Sequence, residues 1–277
     1  MVVRRATSYS MLKHGILLVL SATVLAPIVM LATNSLRPTA SIALQPFGLP
    51  LPPLFSNYVS AWNTAGYSVA FVNSLIVSSV TVLGVCTFSG LAAYGLARLR
   101  IRGGGAVLTY LLIALTIPSQ LYLVPIFIAW VHLHLTNNLF GLILIYWGMW
   151  TPFGVLLLRS FFISLPADFE DSARVDGCNE LQVLGRVVLP ISWPSLVSLA
   201  VIIGVWSWNE FLFAVTMLTN QSVQTVAVRY YRFNGQYTTN YADVAAGGLL
   251  ACSVTVLFFL LLQRRFVQGL AAGGLKG

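Results

Sequence analysis

The stretch that decides the reading is Leu165-Pro166-Ala167-Asp168-Phe169-Glu170-Asp171-Ser172-Ala173-Arg174-Val175-Asp176-Gly177-Cys178-Asn179-Glu180-Leu181-Gln182-Val183-Leu184-Gly185-Arg186-Val187-Val188-Leu189-Pro190. It holds five of the 7 acidic residues of the chain. Its spacing predicts two short helices with a sharp joint. Asp168 is placed to cap the first after Pro166, with Asp171 three residues on. Phe169 and Ala173 fall on one face at i,i+4 spacing. Gly177 suits a left-handed stop, and Asn179 with Gln182 forms a capping box for the second helix. Leu181, Leu184, Val187 and Val188 make an apolar stripe, and Pro190 bars regular continuation. Helices this short are marginal alone in water, so the element needs a partner surface.

The surroundings of this loop are apolar. Charged residues make up 8% of the 277 residues and hydrophobic ones 58%, against about a quarter charged in soluble domains. A helix needs about 20 mostly apolar residues to cross the hydrocarbon core. Stretches 15–32, 68–97, 107–131, 139–162, 196–218 and 244–262 meet that need. We therefore expect an all-α membrane protein with six transmembrane helices in a single membrane domain, 1–277, with lipid as the main solvent. The first apolar run exceeds a usual leader core and five more follow, so an uncleaved helix is expected. Cys86, Cys178 and Cys252 lie far apart and imply neither a disulfide framework nor a zinc motif.

Basic residues set the orientation. Arg4, Arg5, Lys13, Arg98, Arg100, Arg102, Arg159, Arg174, Arg186, Arg264, Arg265 and Lys276 fall on one side of the six spans. Only Arg37, Arg229 and Arg232 fall on the other. Both termini and the loop 165–190 are thus expected in the cytoplasm. The net charge of +8 is scattered beside apolar runs, which fits membrane flanks and not nucleic acid. On the outer side, 38–67 is a proline-punctuated loop with an amphipathic stretch around Tyr58–Trp62.

The loop resembles the EAA loop of binding-protein-dependent ABC transporter permeases. That pattern is Glu-Ala-Ala, three residues, Gly, nine residues, Ile, one residue, Leu-Pro. Asp171-Ser172-Ala173, Gly177, Val187 and Leu189-Pro190 stand in its register, with Asp for Glu, Ser for the first Ala and Val for Ile. Asp keeps the charge but shortens its reach, and Glu170 beside it offers a longer carboxylate. Asp176-Gly177 matches the sugar-importing branch. Asn73-Ser74, Ala93-Tyr94-Gly95-Leu96-Ala97-Arg98, Trp208-Asn209-Glu210-Phe211 and the tail from Gln263 to Gly277 are similar to further signatures of that branch, so the likeness covers about 68–277.

The resemblance implies the type I importer permease fold, with a coupling-helix loop between helices 4 and 5, in a multi-pass protein of the inner membrane. It implies a heterodimer with a second permease, a cytoplasmic ATPase dimer, and an extracytoplasmic sugar-binding protein as partners. Glu170, Asp171, Ser172, Ala173, Asp176, Gly177, Leu189 and Pro190 would then dock the ATPase. The chain itself would be no enzyme and would bind no cofactor, with ATP and Mg held by the ATPase. No phosphate-binding Gly-X-X-X-X-Gly-Lys-Ser/Thr occurs in the sequence, which agrees. The solute expected is a di- or oligosaccharide; glycerol phosphate is an alternative solute, and an ion-coupled secondary transporter an alternative machine.

Within the spans, Gln120, Tyr122, Tyr146 and Trp150 carry amide and aromatic groups that suit a sugar path, though interface placement or packing is the favoured reading of each. Asn209 and Glu210 join them as pathway or gating candidates. An intramembrane carboxylate is costly and points to function, and for Glu210 a structural or gating role is favoured over sugar contact. Pro118 and Pro125 are placed to kink the third span. His132 and His134 are too few ligands for a metal.

Overall fold

The computed structural model describes the backbone of residues 2–45, 47–99, 101–236 and 240–274, and the side chains of 13–45, 47–99, 101–232 and 240–260. Arg4, Arg5, Arg100, Arg264, Arg265, Lys276, the tail signature from Gln263 and the end of the sixth predicted span lie outside the described side chains. Among the described residues every regular element is helical. The chain divides into two compact units, 1–68 with 229–253 and 69–228 with 254–277.

The first unit holds α1 (Val2–Asn34), α2 (Thr39–Leu44) and α3 (Ser56–Ala65), with most of α13 (Val226–Gln236) and the start of α14 (Tyr241–Gly274). Helix α3 supplies the amphipathic segment expected near Tyr58 and ends on Gly66, whose φ of 66° is left-handed. Ser60 donates to Asp243 Oδ2 at 2.6 Å and Tyr67 to the Gly247 carbonyl at 3.0 Å. Arg37 is buried, with Nη1 on Asn34 Oδ1 and Nη2 on the Ser41 carbonyl, both at 3.0 Å.

The second unit contains most of α4 (Tyr67–Arg98), α5 (Gly104–Thr116), α6 (Leu123–His132), α7 (Leu139–Ser164), α8 (Asp168–Val175), α9 (Glu180–Val183), α10 (Leu189–Ile191), α11 (Trp193–Asn209) and α12 (Leu212–Met217). Leu142, Tyr146, Leu158, Phe162, Leu199 and Ile203 are fully buried in its core. Small residues let α4 and α7 approach closely: a Cβ at Gly84 would strike the Trp147 ring, and one at Gly154 would strike Ser89. Exposed Val, Leu and Ile side chains run along α1, α4 and α5, as lipid-facing helices require.

Helices α1, α4, α7 and α14 each contain an unbroken run long and apolar enough to cross a membrane. The predicted spans 107–131 and 196–218 are not continuous helices. Between α5 and α6 a 3₁₀ turn, Ser119–Tyr122, intervenes, and the axis bends by 91°. Pro118 is the cause: the residue before a proline is driven out of the α region, and Ile117 sits at φ −78°, ψ 119°. Pro125 lies in the first turn of α6, where its missing N–H costs nothing. The fifth predicted span stops where Glu210 is extended at φ −65°, ψ 127°, and resumes as α12. At its other end, α11 meets the helices of the quoted loop at 81°.

Candidate functional site

The loop folds by local rules. Gly177 has φ 85°, and its N–H bonds the Arg174 carbonyl while Cys178 N–H reaches back to Ala173, both at 3.0 Å. This left-handed turn closes α8. Both halves of the capping box are made: Gln182 N–H to Asn179 Oδ1 at 3.0 Å, and Asn179 N–H to Gln182 Oε1 at 2.9 Å. Asp168 departs from expectation. The residue preceding α8, Ala167, is itself in the α region and accepts the N–H groups of Glu170 and Asp171, so Asp168 is the first helical residue and not its cap. Its charge still favours the N-terminal turn.

After α9 the helix widens into a five-residue π turn, Leu184–Val188. Regular α geometry there would drive the Pro190 ring into the Arg186 carbonyl. The extra residue in the turn changes the register. Leu184 and Val188 are buried, but Leu181 is 71% exposed, so the predicted apolar stripe is shorter than expected.

The second departure is Glu170, which the sequence places beside Asp171 as a docking carboxylate. The residue is 2% exposed and is the only buried residue of α8. Its Oε1 stands 2.7 Å from Arg98 Nε, and Arg98 Nη2 donates to the Leu165 carbonyl at 2.7 Å. A helix turns 100° per residue, so Glu170 and Asp171 point to different sides of α8. Beside the buried pair lies an outer shell. Arg174 binds Glu180 at 2.9 and 3.1 Å and Asp171 at 2.8 Å, and stands 3.4 Å from Glu170. Tyr94 donates to Glu180 Oε2 at 2.5 Å. Arg174, and secondarily Tyr94, hold the Glu180 carboxyl below its usual range, and Glu180 in turn raises the Arg174 pKa.

The opposite side of α8 faces out. Asp171 is 67% exposed there, with Asp168, Phe169, Ser172, Val175 and Asp176 also exposed. Ala173 packs inward, Leu189 is half-buried, and Pro190 is exposed. Tyr94 and Arg98, in the last turns of α4, thus hold the loop through side-chain contacts that a span-by-span reading leaves out. The signal was present: both lie in one quoted signature and on the same predicted side as the acidic loop.

The two broken spans meet at a second site. A cavity of about 360 Å³ is lined by Ser119 and Gln120 from the first break, Trp150 from α7, Trp206 and Asn209 from α11, and Glu210 at the second break. Backbone that leaves the helix at membrane depth is tolerated where it is covered by protein or lines such a cavity. Glu210 accepts Phe213 N–H at 2.8 Å and Ala214 N–H at 3.1 Å, which starts α12, and accepts the Tyr146 hydroxyl at 2.5 Å. Tyr146 stacks on Trp150 at 4.6 Å, and Tyr122 packs on Phe213 at 5.9 Å. Of the six pathway candidates, four line the cavity, while Tyr146 and Tyr122 brace it. Asn209 also reaches Thr255 Oγ1 at 3.2 Å. The Asn73-Ser74 pair has a bracing role of its own. Asn73 donates to the carbonyls of Ser222 and Gln224, both at 3.0 Å, and Ser74 accepts Val226 N–H at 2.9 Å.

A model of the binding-protein-dependent transport system inner membrane component family matches residues 86–272. The arabinooligosaccharides transport system permease protein AraQ of Bacillus subtilis (strain 168) is 30% identical, over 94% of this chain and 93% of that protein. The melibiose/raffinose/stachyose import permease protein MelC of the same organism is 31% identical, over 91% of each. The fold matches that in the crystal structure of a bacterial ABC transporter involved in the import of the acidic polysaccharide alginate. The TM-score is 0.83 with 23% identity, over 95% of this chain and 98% of that one. With its loop register, helical architecture and family match in agreement, the chain belongs to the binding-protein-dependent transport system inner membrane components and is a membrane permease of the type I importer fold.

Proposed function

We propose that this permease is one membrane-spanning half of an ATP-driven importer for a di- or oligosaccharide. The observation that carries the reading is the outward face of α8: an acidic, exposed surface on a capped element whose only buried residue is held by the end of α4. Asp171, Ser172 and Asp176 would meet basic groups of a cytoplasmic ATPase, with Gly177 fixing the turn, and Ala173, Leu189 and Pro190 positioning the element. ATP and Mg would sit on that ATPase, which leaves this chain without a cofactor or a catalytic role. A second permease completes the pathway, and an extracytoplasmic binding protein delivers the solute. The basic flanks support a cytoplasmic position for the loop and both termini.

A neutral sugar fits the cavity better than glycerol phosphate. Its polar groups include the amides of Gln120 and Asn209, its walls carry Trp150 and Trp206, and none of the described lining residues is basic. The names of AraQ and MelC support the same class. Both carboxylate oxygens of Glu210 are already engaged, which argues against an ion-coupled carrier built on it.

The test is purification of the solubilised chain from cells that express its full transport system. An ATPase and a second permease are expected to come with it. Asp171→Lys should remove the ATPase and abolish uptake while leaving membrane insertion intact. Recovery of a transport-competent single chain, or normal uptake by Asp171→Lys, would contradict the proposal.

A further inference from the structure

We infer that the buried Arg98–Glu170 pair is the strut that passes movement of α8 to α4, which makes both side chains positioning residues for transport. This rests on α8 being the ATPase-docking helix. A docking helix does work only if its displacement is transmitted, so its attachment to the spans must resist load. Apolar packing within α8 supplies little of that attachment: Phe169 and Val175 are exposed, Ala173 alone packs inward and is only half-buried, and Glu170 is the only buried residue of the helix. The ion pair can supply it. Its side chains are 14% and 3% exposed, and Arg98 Nε stands 2.7 Å from Glu170 Oε1, a close charge contact outside hydrogen-bond alignment. A pair so sheltered is screened little by salt, and separating it would leave an uncompensated buried charge.

Position makes the pair more than an anchor. Through Nη2 the same guanidinium holds the Leu165 carbonyl at the end of α7. One side chain thus joins the ends of two spans to the loop helix. Tyr94, one turn earlier on α4, holds Glu180 beyond the Gly177 joint, so both halves of the loop are tied to one helix. Arg174 bridges the two halves through Asp171 and Glu180. The joint at Gly177 is therefore cross-braced, and α8 and α9 follow α4 as a unit.

The experiment uses the assembled transporter in proteoliposomes, measuring solute uptake and ATP hydrolysis on the same preparation. In Glu170→Gln, which keeps the shape but removes the charge, the ATPase should still co-purify and hydrolyse ATP. Uptake per ATP hydrolysed should fall about tenfold, within the range by which coupling networks are modulated. Arg98→Lys, which preserves the charge, should keep most of that ratio. An unchanged ratio in Glu170→Gln, a loss that merely follows the yield of assembled complex, or an equal loss in Arg98→Lys would overturn the strut. If the unaltered chain brings down no ATPase, the docking reading itself has failed, which is a distinct result.

Discussion

The loop and the cavity each hold a glutamate, Glu170 buried and Glu210 half-buried, and they neutralise it differently. Glu170 faces a full positive charge, Arg98, at the end of a span. Glu210 faces neutral donors alone: the Tyr146 hydroxyl and two backbone N–H groups at the start of α12. The first arrangement joins separate elements by strong attraction and suits transmission of force. The second uses the carboxylate to restart a helix after a break, which shapes a cavity without placing a cation in it. The two acids are not interchangeable parts: the sequence suggested docking for Glu170 and a structural or gating role for Glu210, without the partner of either.

The largest effect that would test this contrast is expected at Glu210. Glu210→Leu strands the Tyr146 hydroxyl and two N–H groups, and leaving buried donors unpaired costs about 2–3 kcal/mol. A thermal melt of the detergent-solubilised protein should show this as a clear loss of stability. Glu210→Gln, which keeps the acceptor oxygen, should lose less. Equal melting of Glu210→Leu and the parent would mean that the break is held by something else.

At the loop, Gly177→Ala forces a Cβ into the left-handed region at φ 85°, a cost of about 1–2 kcal/mol. Nothing lies within 4 Å of the added Cβ, so any loss reports backbone strain and not a clash. Asn179→Ala removes one half of the capping box, for about 1 kcal/mol. Hydrogen exchange confined to 168–183 should accelerate in both variants, and protection equal to the parent would show that the turn and cap do not hold the loop.

The smallest effect is one of pH. Glu180 titrates below its ordinary 4.5 because of Arg174 first and Tyr94 second. A depressed carboxylate stabilises the fold above its unfolded pKa and loses that contribution as pH falls through the lowered folded value. The side chain is 43% exposed, so solvent screens the contribution. Glu180→Gln should flatten the melting profile below pH 4.5 and change little at pH 7. An unaltered acid limb would remove Glu180 from the network.

Legibility followed the range of the interaction. Gly177 and the Asn179–Gln182 box are decided within a few residues, so spacing alone located them. The two breaks are not, because hydropathy sums over a window and registers the same apolar content whether a helix is straight or turned by 91°. Pro118 marked a disturbance, but a local rule does not separate a kink from a corner. Asp168 failed as a cap because Ala167 takes the cap position and Asp168 is already helical, a one-residue shift that terminal signals do not resolve. Glu170 was misplaced for a different reason. Its partner is distant in sequence, and only the packing of α8 beneath α4 decides which of two adjacent carboxylates turns inward.

Transport through this permease should be driven by ATP hydrolysed on a partner docked at α8. It is tested most directly in proteoliposomes holding the co-purified complex, with sugar-loaded binding protein outside and ATP trapped inside. Labelled sugar should accumulate with ATP and fail to accumulate with a non-hydrolysable analogue, whatever ion gradient is imposed. Accumulation driven by an ion gradient without ATP would contradict the account.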